Sequence, residues 1–188
     1  MKAVFLDRDG VICENREDYV KSWDEFEFLP GSFDALKTLA KTDFLIFFIT
    51  NQSPINRGIL AVADVEDINI KMTEQIVKSG GRIDDIFICP HAPDEGCDCR
   101  KPQPGLLIRA RDKYDVDLSL SYLVGDALSD IQAGKTVGTK TILVRTGRGS
   151  KQLEDINNHI KKPDHIAKDL SDAVKWIITD ENTRGGRH

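Results

Sequence analysis

Short apolar runs, each bounded by polar or turn residues, punctuate the chain at Lys2–Leu6, Phe44–Ile49, Ile86–Cys89, Tyr122–Val124 and Thr141–Val144. Runs this short and this rich in Val, Ile, Leu and Phe predict strands buried on both faces. Between them the apolar positions fall three and four apart: Phe33, Leu36 and Leu39; Val62, Val65, Ile68, Met72 and Ile76; Leu107, Ala110 and Tyr114; Leu170, Ala173, Val174 and Ile177. That spacing places each set on one face of a helix. Strands alternating with helices predict right-handed crossovers and an α/β fold: a doubly wound, mainly parallel, Rossmann-like sheet covered on both sides. Ligands of such sheets bind beyond the carboxyl ends of the strands. Asp7, Thr50, Cys89, Gly125 and Arg145 stand at those ends and are the first places to look for chemistry.

A chain of 188 residues suits one domain, expected over residues 1–179, with the polar, Gly-containing stretch 180–188 read as a frayed tail. The 26 Lys and Arg against 31 Asp and Glu leave a net charge of −5, which argues against a protein that coats nucleic acid or an anionic membrane. An anionic substrate must then meet a local cluster of cations. No apolar run approaches the roughly 20 residues needed to cross a bilayer. The amino terminus leads from Met1-Lys2 straight into the first strand and Asp7-Arg8-Asp9, without the form of a secretory signal. A cytoplasmic monomer acting on a small phosphorylated metabolite is the expectation, with neither nucleic acid nor membrane as partner.

Asp7 and Asp9 directly follow the first strand, and residues two apart on extended chain project to the same side. Two carboxylates facing one ligand suit phosphoryl transfer, one attacking phosphorus and the other protonating the leaving oxygen. An Asp-x-Asp alone is most often a solvated acidic turn, and a calcium loop would need glycine at its sixth position, whereas Gly10 is at the fourth. A second acidic corner, Gly125-Asp126-Ala127-Leu128-Ser129-Asp130, follows the fourth strand. Asp7 and Asp126 provide hard oxygen ligands for Mg²⁺, without which clustered carboxylates would repel a phosphate. Asp130 and Ser129 also fit as caps of the helix that follows. Thr50-Asn51-Gln52-Ser53 offers a hydroxyl and backbone N–H groups to phosphate oxygens, or is an ordinary polar turn. Lys101 is the candidate fixed cation for a phosphoryl transition state. Asn51, Arg57, Arg100 and Arg145 are candidate substrate-binding side chains, since guanidinium groups grip a phosphate in a bidentate way; each arginine also reads as plain surface, and Arg148 is a weaker candidate.

Cys89-x-His91-x₅-Cys97-x-Cys99 supplies three thiolates and an imidazole, the set for a closed, structural tetrahedral Zn²⁺ site that stabilises the loop 89–99. A redox-active cysteine pair is the alternative. Lys101 lies two residues past Cys99, so the metal is expected to position that lysine. Cys13 reads as a small buried filler, and His159, His165 and His188 as surface or packing residues.

In this order, Asp7-x-Asp9, the strand-ending Thr50, Lys101 before a helix and Gly125-Asp126-x-x-x-Asp130 resemble the four motifs of the haloacid dehalogenase superfamily of phosphatases. The resemblance implies Asp7 as nucleophile, Asp9 as general acid/base with its backbone carbonyl on Mg²⁺, Thr50 and Lys101 on the phosphoryl group, and Asp126 completing the metal site. Asp7-Arg8-Asp9-Gly10-Val11-Ile12, Cys89-Pro90-His91, Cys97-Asp98-Cys99-Arg100-Lys101-Pro102 and Val144-Arg145-Thr146-Gly147 are similar to the branch holding heptose-bisphosphate and histidinol-phosphate phosphatases. Members of that branch lack a large cap domain, and no insertion here is big enough for one. On substrate the likeness divides. The spacer 92–96 is nearer the histidinol-phosphate type, whereas the segment 51–58 and Arg145-Thr146-Gly147 agree with the heptose enzymes, despite Pro54 where those have Gly. The balance leans to the 7-phosphate of D-glycero-D-manno-heptose 1,7-bisphosphate, with histidinol phosphate as alternative. A nucleic-acid end phosphatase and a non-enzymatic zinc-binding module rank below both.

Overall fold

The computed structural model describes residues 1–156 and 162–185. Six strands form one sheet: β1 (Ala3–Leu6), β2 (Leu45–Asn51), β3 (Asp85–Cys89), β4 (Tyr122–Gly125), β5 (Lys140–Val144) and β6 (His165–Ala167). Their order is β3-β2-β1-β4-β5-β6, and every neighbouring pair is parallel. Helices α1 (Ser32–Leu39), α2 (Val62–Lys78), α3 (Gly105–Tyr114), α4 (Leu128–Thr136), α5 (Gly149–Ile156) and α6 (Leu170–Gly185) connect and follow the strands.

The alternation along β1 explains the two layers. Val4 and Leu6 face a core shared with Leu36 and Leu39 of α1, Ile68 and Met72 of α2 and Val174 and Ile177 of α6. Ala3 and Phe5 face the opposite core, with Leu106, Leu107 and Ala110 of α3 and Ala133 of α4. A strand covered on both faces needs apolar residues at every position, as β1 and β4 show. β3 differs: it is an edge strand, half-buried along most of its length.

Three expectations need correction. Val62 begins α2 but is exposed, while Val65, Ile68, Met72 and Ile76 are buried. β6 escapes a periodicity reading because three residues with polar flanks carry too little pattern. The chain from Asp180 to Gly185 is not a tail but the end of α6. Asp180 holds it there, accepting from Tyr122 Oη at 2.6 Å and from Lys140 Nζ at 2.6 and 2.7 Å. Of the histidines, His165 stacks on Trp176, and His159 and His188 lie outside the described residues. Among the described residues no helix is long and apolar enough to cross a membrane.

Among the described residues nothing the size of a domain interrupts the sheet. The segment between β1 and α1 is a loop with one short 3-10 turn, Trp23–Glu25, so the carboxyl ends of β1 and β4 are approached over loops alone.

Candidate active site

β1 and β4 are neighbours at the centre of the sheet, where the chain's direction of winding reverses, the place such folds bind ligands. Their register fixes the site: Leu6 pairs with Val124, and the Asp7 N–H donates to Val124 O at 3.0 Å. The carboxylates of Asp7, Asp126 and Asp130 therefore meet within 4.8 Å of one another, all buried.

Lys101 crosses to this acidic floor from the loop after β3. Its Nζ donates to Ile49 O at 2.9 Å and forms ion pairs with Asp7 Oδ1 at 2.8 Å and Asp130 Oδ1 at 2.7 Å. Burial disfavours the charge, but Asp130 and Asp7 outweigh it and hold Lys101 protonated. Asp130 combines the two readings left open by its sequence, since its Oδ2 also accepts from the Ala127 N–H at 3.0 Å at the start of α4. Gly125 makes room for it: a Cβ there would stand 2.3 Å from the Asp130 side chain. Asn51 lines the same site. Its amide takes the Lys101 backbone N–H and donates to the Lys101 carbonyl, both at 3.1 Å, and so fixes the lysine.

Asp9 sits in a different field. Burial pushes its carboxyl up, but the Arg8 guanidinium and hydrogen bonds from Arg8 and Gln52 outweigh this and hold it below its ordinary value. Arg8 Nε and Nη2 grip the two carboxylate oxygens at 3.2 and 3.1 Å. Gln52 Nε2 donates to Asp9 Oδ2 and to Thr50 Oγ1, both at 2.8 Å, and the Thr50 hydroxyl lies 3.3 Å from Asp9 Oδ2. Cys13 is buried beside them, its Sγ 3.6 Å from Asp9 Oδ1.

Asp126 is pinned by the loop after β5. Arg148 N–H donates to its Oδ2 at 2.8 Å, leaving Oδ1 for a ligand. Gly10 and Gly147 close around it, both at positive φ; a Cβ would fall 2.1 Å from Asp126 Oδ2 at Gly10 and 2.3 Å from it at Gly147. Thr146 Oγ1 ties the same loop to Gly10 O at 2.7 Å. Burial and the Asp130 carboxylate push Asp126 up to about 6, and burial with the neighbouring carboxylates raises Asp7 too, against the pull of Lys101.

This donor set fits Mg²⁺: several hard oxygens crowded in one place, repelling one another for want of a cation. Because the folded protein binds these protons more tightly than the unfolded chain, the cluster's contribution to stability is full below about pH 4 and is lost as pH rises through about 6. Millimolar Mg²⁺ is thus expected to raise the melting temperature more at about pH 7.5, where the cluster is ionised and strained, than at about pH 5. Equal shifts at the two pH values would contradict this.

The zinc-type set also assembles. Cys99 Sγ lies 3.0 Å from Cys89 Sγ and 3.6 Å from Cys97 Sγ, Cys89 and Cys97 are 3.7 Å apart, and His91 Nδ1 stands 3.2 Å from Cys99 Sγ and 3.5 Å from Cys89 Sγ. These separations are too long for disulfides. They approach the edge of about 3.8 Å of a tetrahedron with zinc–sulfur bonds of about 2.3 Å.

Above the carboxylates opens a cavity of about 300 Å³. Arg57 and Arg100 line it as the sequence suggests, with Arg16 and Arg148 beside them. Arg145 does not: its N–H still pairs with Ala167 O of β6 at 3.0 Å, and the loop reaches the cavity only three residues later, at Arg148. Sequence reasoning missed Arg8, Gln52 and the Arg148 backbone. A basic residue inside Asp7-x-Asp9 was the available signal for the first; a main-chain donor leaves none.

An acidic floor, a buried lysine and a cationic rim at the switch point of a Rossmann-like sheet define a magnesium-dependent phosphatase of the haloacid dehalogenase type. The HAD-hydrolase-like family model matches residues 98–173. A D-glycero-beta-D-manno-heptose-1,7-bisphosphate 7-phosphatase from Bordetella bronchiseptica is 44% identical over 178 residues, covering 95% of this chain and 98% of that one. The enzyme of that name from Escherichia coli strain K12 is 43% identical, covering 94% and 87%. The crystal structure of the D,D-heptose 1,7-bisphosphate phosphatase of B. bronchiseptica, complexed with magnesium and phosphate, superposes with a TM-score of 0.89 at 39% identity over 96% of this chain and 99% of that one. The chain belongs to the D-glycero-beta-D-manno-heptose-1,7-bisphosphate 7-phosphatase family of haloacid dehalogenase-like hydrolases.

Proposed function

We propose that this protein removes the 7-phosphate of D-glycero-D-manno-heptose 1,7-bisphosphate through a phosphorylated Asp7. The observation that carries the reading is the Asp7 carboxylate, buried on the cavity floor with Lys101 at 2.8 Å beneath a rim of arginines. The relatives' names and the magnesium and phosphate of the related crystal structure support it.

An Asp7 oxygen bonds to phosphorus as the bond from phosphorus to the sugar oxygen breaks, and that oxygen takes a proton from Asp9, which Arg8 and Gln52 hold ionised in the substrate-free site and which gains its proton when the anionic substrate binds. Water then attacks the phosphorus of the acyl phosphate, gives its proton to Asp9, and phosphate leaves with Asp7 restored. Thr50 and Lys101 hold phosphoryl oxygens, Lys101 neutralising charge at the moment it is greatest. Asp7, Asp126 and the Asp9 carbonyl would hold Mg²⁺, which supplies charge neutralisation between carboxylates and phosphate. Arg57, Arg100, Arg148 and Arg16 are placed to receive the phosphate that is not transferred. Cys89, His91, Cys97 and Cys99 would hold a structural Zn²⁺.

The test compares kcat/KM for the heptose 1,7-bisphosphate, its 1-monophosphate and histidinol phosphate, with Mg²⁺ present. The bisphosphate should be preferred by at least about 100-fold over histidinol phosphate, since bidentate arginine–phosphate pairs are worth a few kcal/mol. The 1-monophosphate should be inert. A preference for histidinol phosphate would overturn the substrate.

A further inference from the structure

Arg16, Arg57, Arg100 and Arg148 line the cavity, and they are not held alike. Arg16 is engaged by carboxylates, Asp18 Oδ1 at 3.3 Å and Glu25 Oε2 at 4.0 Å, and Arg148 Nη2 donates to Asn15 Oδ1 at 3.5 Å. Arg100 follows Cys99 directly and donates to His91 O, so it belongs to the cysteine and histidine loop. Arg57 stands on a separate turn after β2, yet that turn is docked on the same loop at three points. Gln52 N–H donates to Cys89 O at 2.7 Å, Asn56 N–H to Pro90 O at 3.3 Å, and Asn56 Nδ2 to Glu95 Oε2 at 2.7 Å. Glu95 is itself set in place: its N–H donates to Ala92 O at 3.3 Å, its Oε1 accepts from the Ala92 N–H at 3.1 Å, and Gly96, at a φ of 65°, turns the chain on to Cys97. A carboxylate beside a cationic rim would ordinarily compete with phosphate for guanidinium groups. Here each of its oxygens accepts from a neutral N–H instead.

We propose that Glu95, acting through Asn56, is a positioning residue that holds Arg57 at the cavity rim for the phosphate that is not transferred. The inference rests on the reading of that rim as a second phosphate subsite. Asn56 immediately precedes Arg57, so gripping it by backbone and side chain together fixes where the Arg57 side chain begins. Arg57 and Arg100 then hang from one loop, and the spacer 92–96, which carries none of the metal-type ligands, contributes to selectivity for a doubly phosphorylated substrate. Both partners of the clamp are exposed. The bond therefore adds little to stability, and its effect falls on substrate affinity.

The experiment measures kcat and KM for the heptose 1,7-bisphosphate and for p-nitrophenyl phosphate, which has no second phosphate, together with zinc content. It uses the metal-loaded parent, Arg57→Ala, Glu95→Ala, Glu95→Gln, Asn56→Ala and the Asn56→Ala, Glu95→Ala double variant. Arg57→Ala tests the underlying subsite and should raise KM for the bisphosphate at least about tenfold; no rise would overturn that reading, and the positioning role with it. Given the rise, Glu95→Ala and Asn56→Ala should each raise KM for the bisphosphate about fivefold, with kcat within about twofold of parent, KM for the aryl ester unchanged and zinc retained. Glu95→Gln, which keeps an acceptor oxygen, should stay within about twofold of parent, and the double variant should be no worse than either single one. An unchanged KM for the bisphosphate, equal rises on both esters, a Glu95→Gln variant as poor as Glu95→Ala, or losses that multiply in the double variant would overturn the positioning role while leaving Arg57 its own. Should Glu95→Ala shed zinc, Asn56→Ala, which lies outside the metal loop, decides alone.

Discussion

Asp7→Asn is expected to abolish phosphate release, by on the order of 10⁴-fold or more, while the metal-free protein melts at or above the temperature of the parent. The loss follows from replacing the carboxylate of the proposed nucleophile by an amide, which is a poor nucleophile and keeps the shape. The gain follows from electrostatics. Burial and the carboxylates of Asp130, Asp126 and Asp9 raise Asp7 well above its ordinary value, more than Lys101 offsets. An ionised Asp7 is therefore a liability at neutral pH that a neutral isostere removes, and Lys101 keeps Asp130 and Ile49 O as partners. Active sites commonly trade stability for function in this way. A chromogenic phosphate ester assay beside a thermal melt checks both halves. Activity above about 1% of parent would refute the nucleophile, and a melting point several degrees lower would refute the account of the strain.

The second large effect is expected from the cysteine cluster. Cys97→Ala, or exhaustive chelation, should strip bound zinc, lower the melting temperature by about 10 °C and cut turnover of the heptose bisphosphate at least about tenfold. The coupling runs through the backbone. The Arg100 N–H donates to Cys97 Sγ at 3.4 Å, Arg100 Nη1 donates to His91 O at 3.0 Å, and Asp98 O accepts from the Gly105 N–H at 3.0 Å. Gly105 lets α3 start against this loop, since a Cβ there would stand 2.4 Å from Asp98 O. Lys101 follows directly and carries both its strand-side clamp, Asn51, and its two carboxylates. A loop that relaxes without its metal moves the cation under the phosphate. Metal analysis, a melt and an assay on the same sample decide the matter: zinc lost with turnover intact would separate the loop from catalysis.

What the sequence discloses and what it hides divide along a physical line. Strand ends, doubly buried apolar runs and the spacing of Asp7, Asp9 and Asp126 are local patterns, and they place the fold and the acidic floor. The cysteine and histidine set is legible for the same reason, since its four ligands fall in one short loop. Contacts between distant segments carry no such pattern. Nothing local says that Arg8 is buried against Asn69, that Gln52 bonds to both Asp9 and Thr50, or that a main-chain N–H at Arg148 takes one oxygen of Asp126. Arg145 and Arg148 look alike as letters; the structure tells them apart, Arg145 N–H pairing with Ala167 O of β6 and Arg148 N–H with Asp126. The last turns of α6 were hidden because their anchor, Asp180, is held by Tyr122 and Lys140 on other strands.

The loop-only approach to β1 and β4 has a chemical corollary. A phosphorylated aspartate formed at an unroofed mouth stays in contact with bulk solvent, whose concentration no competing alcohol can match. On the proposed mechanism such an intermediate would decay to inorganic phosphate without a domain having to swing aside, and the guanidinium groups that line the cavity would do the work of recognition that closure does elsewhere.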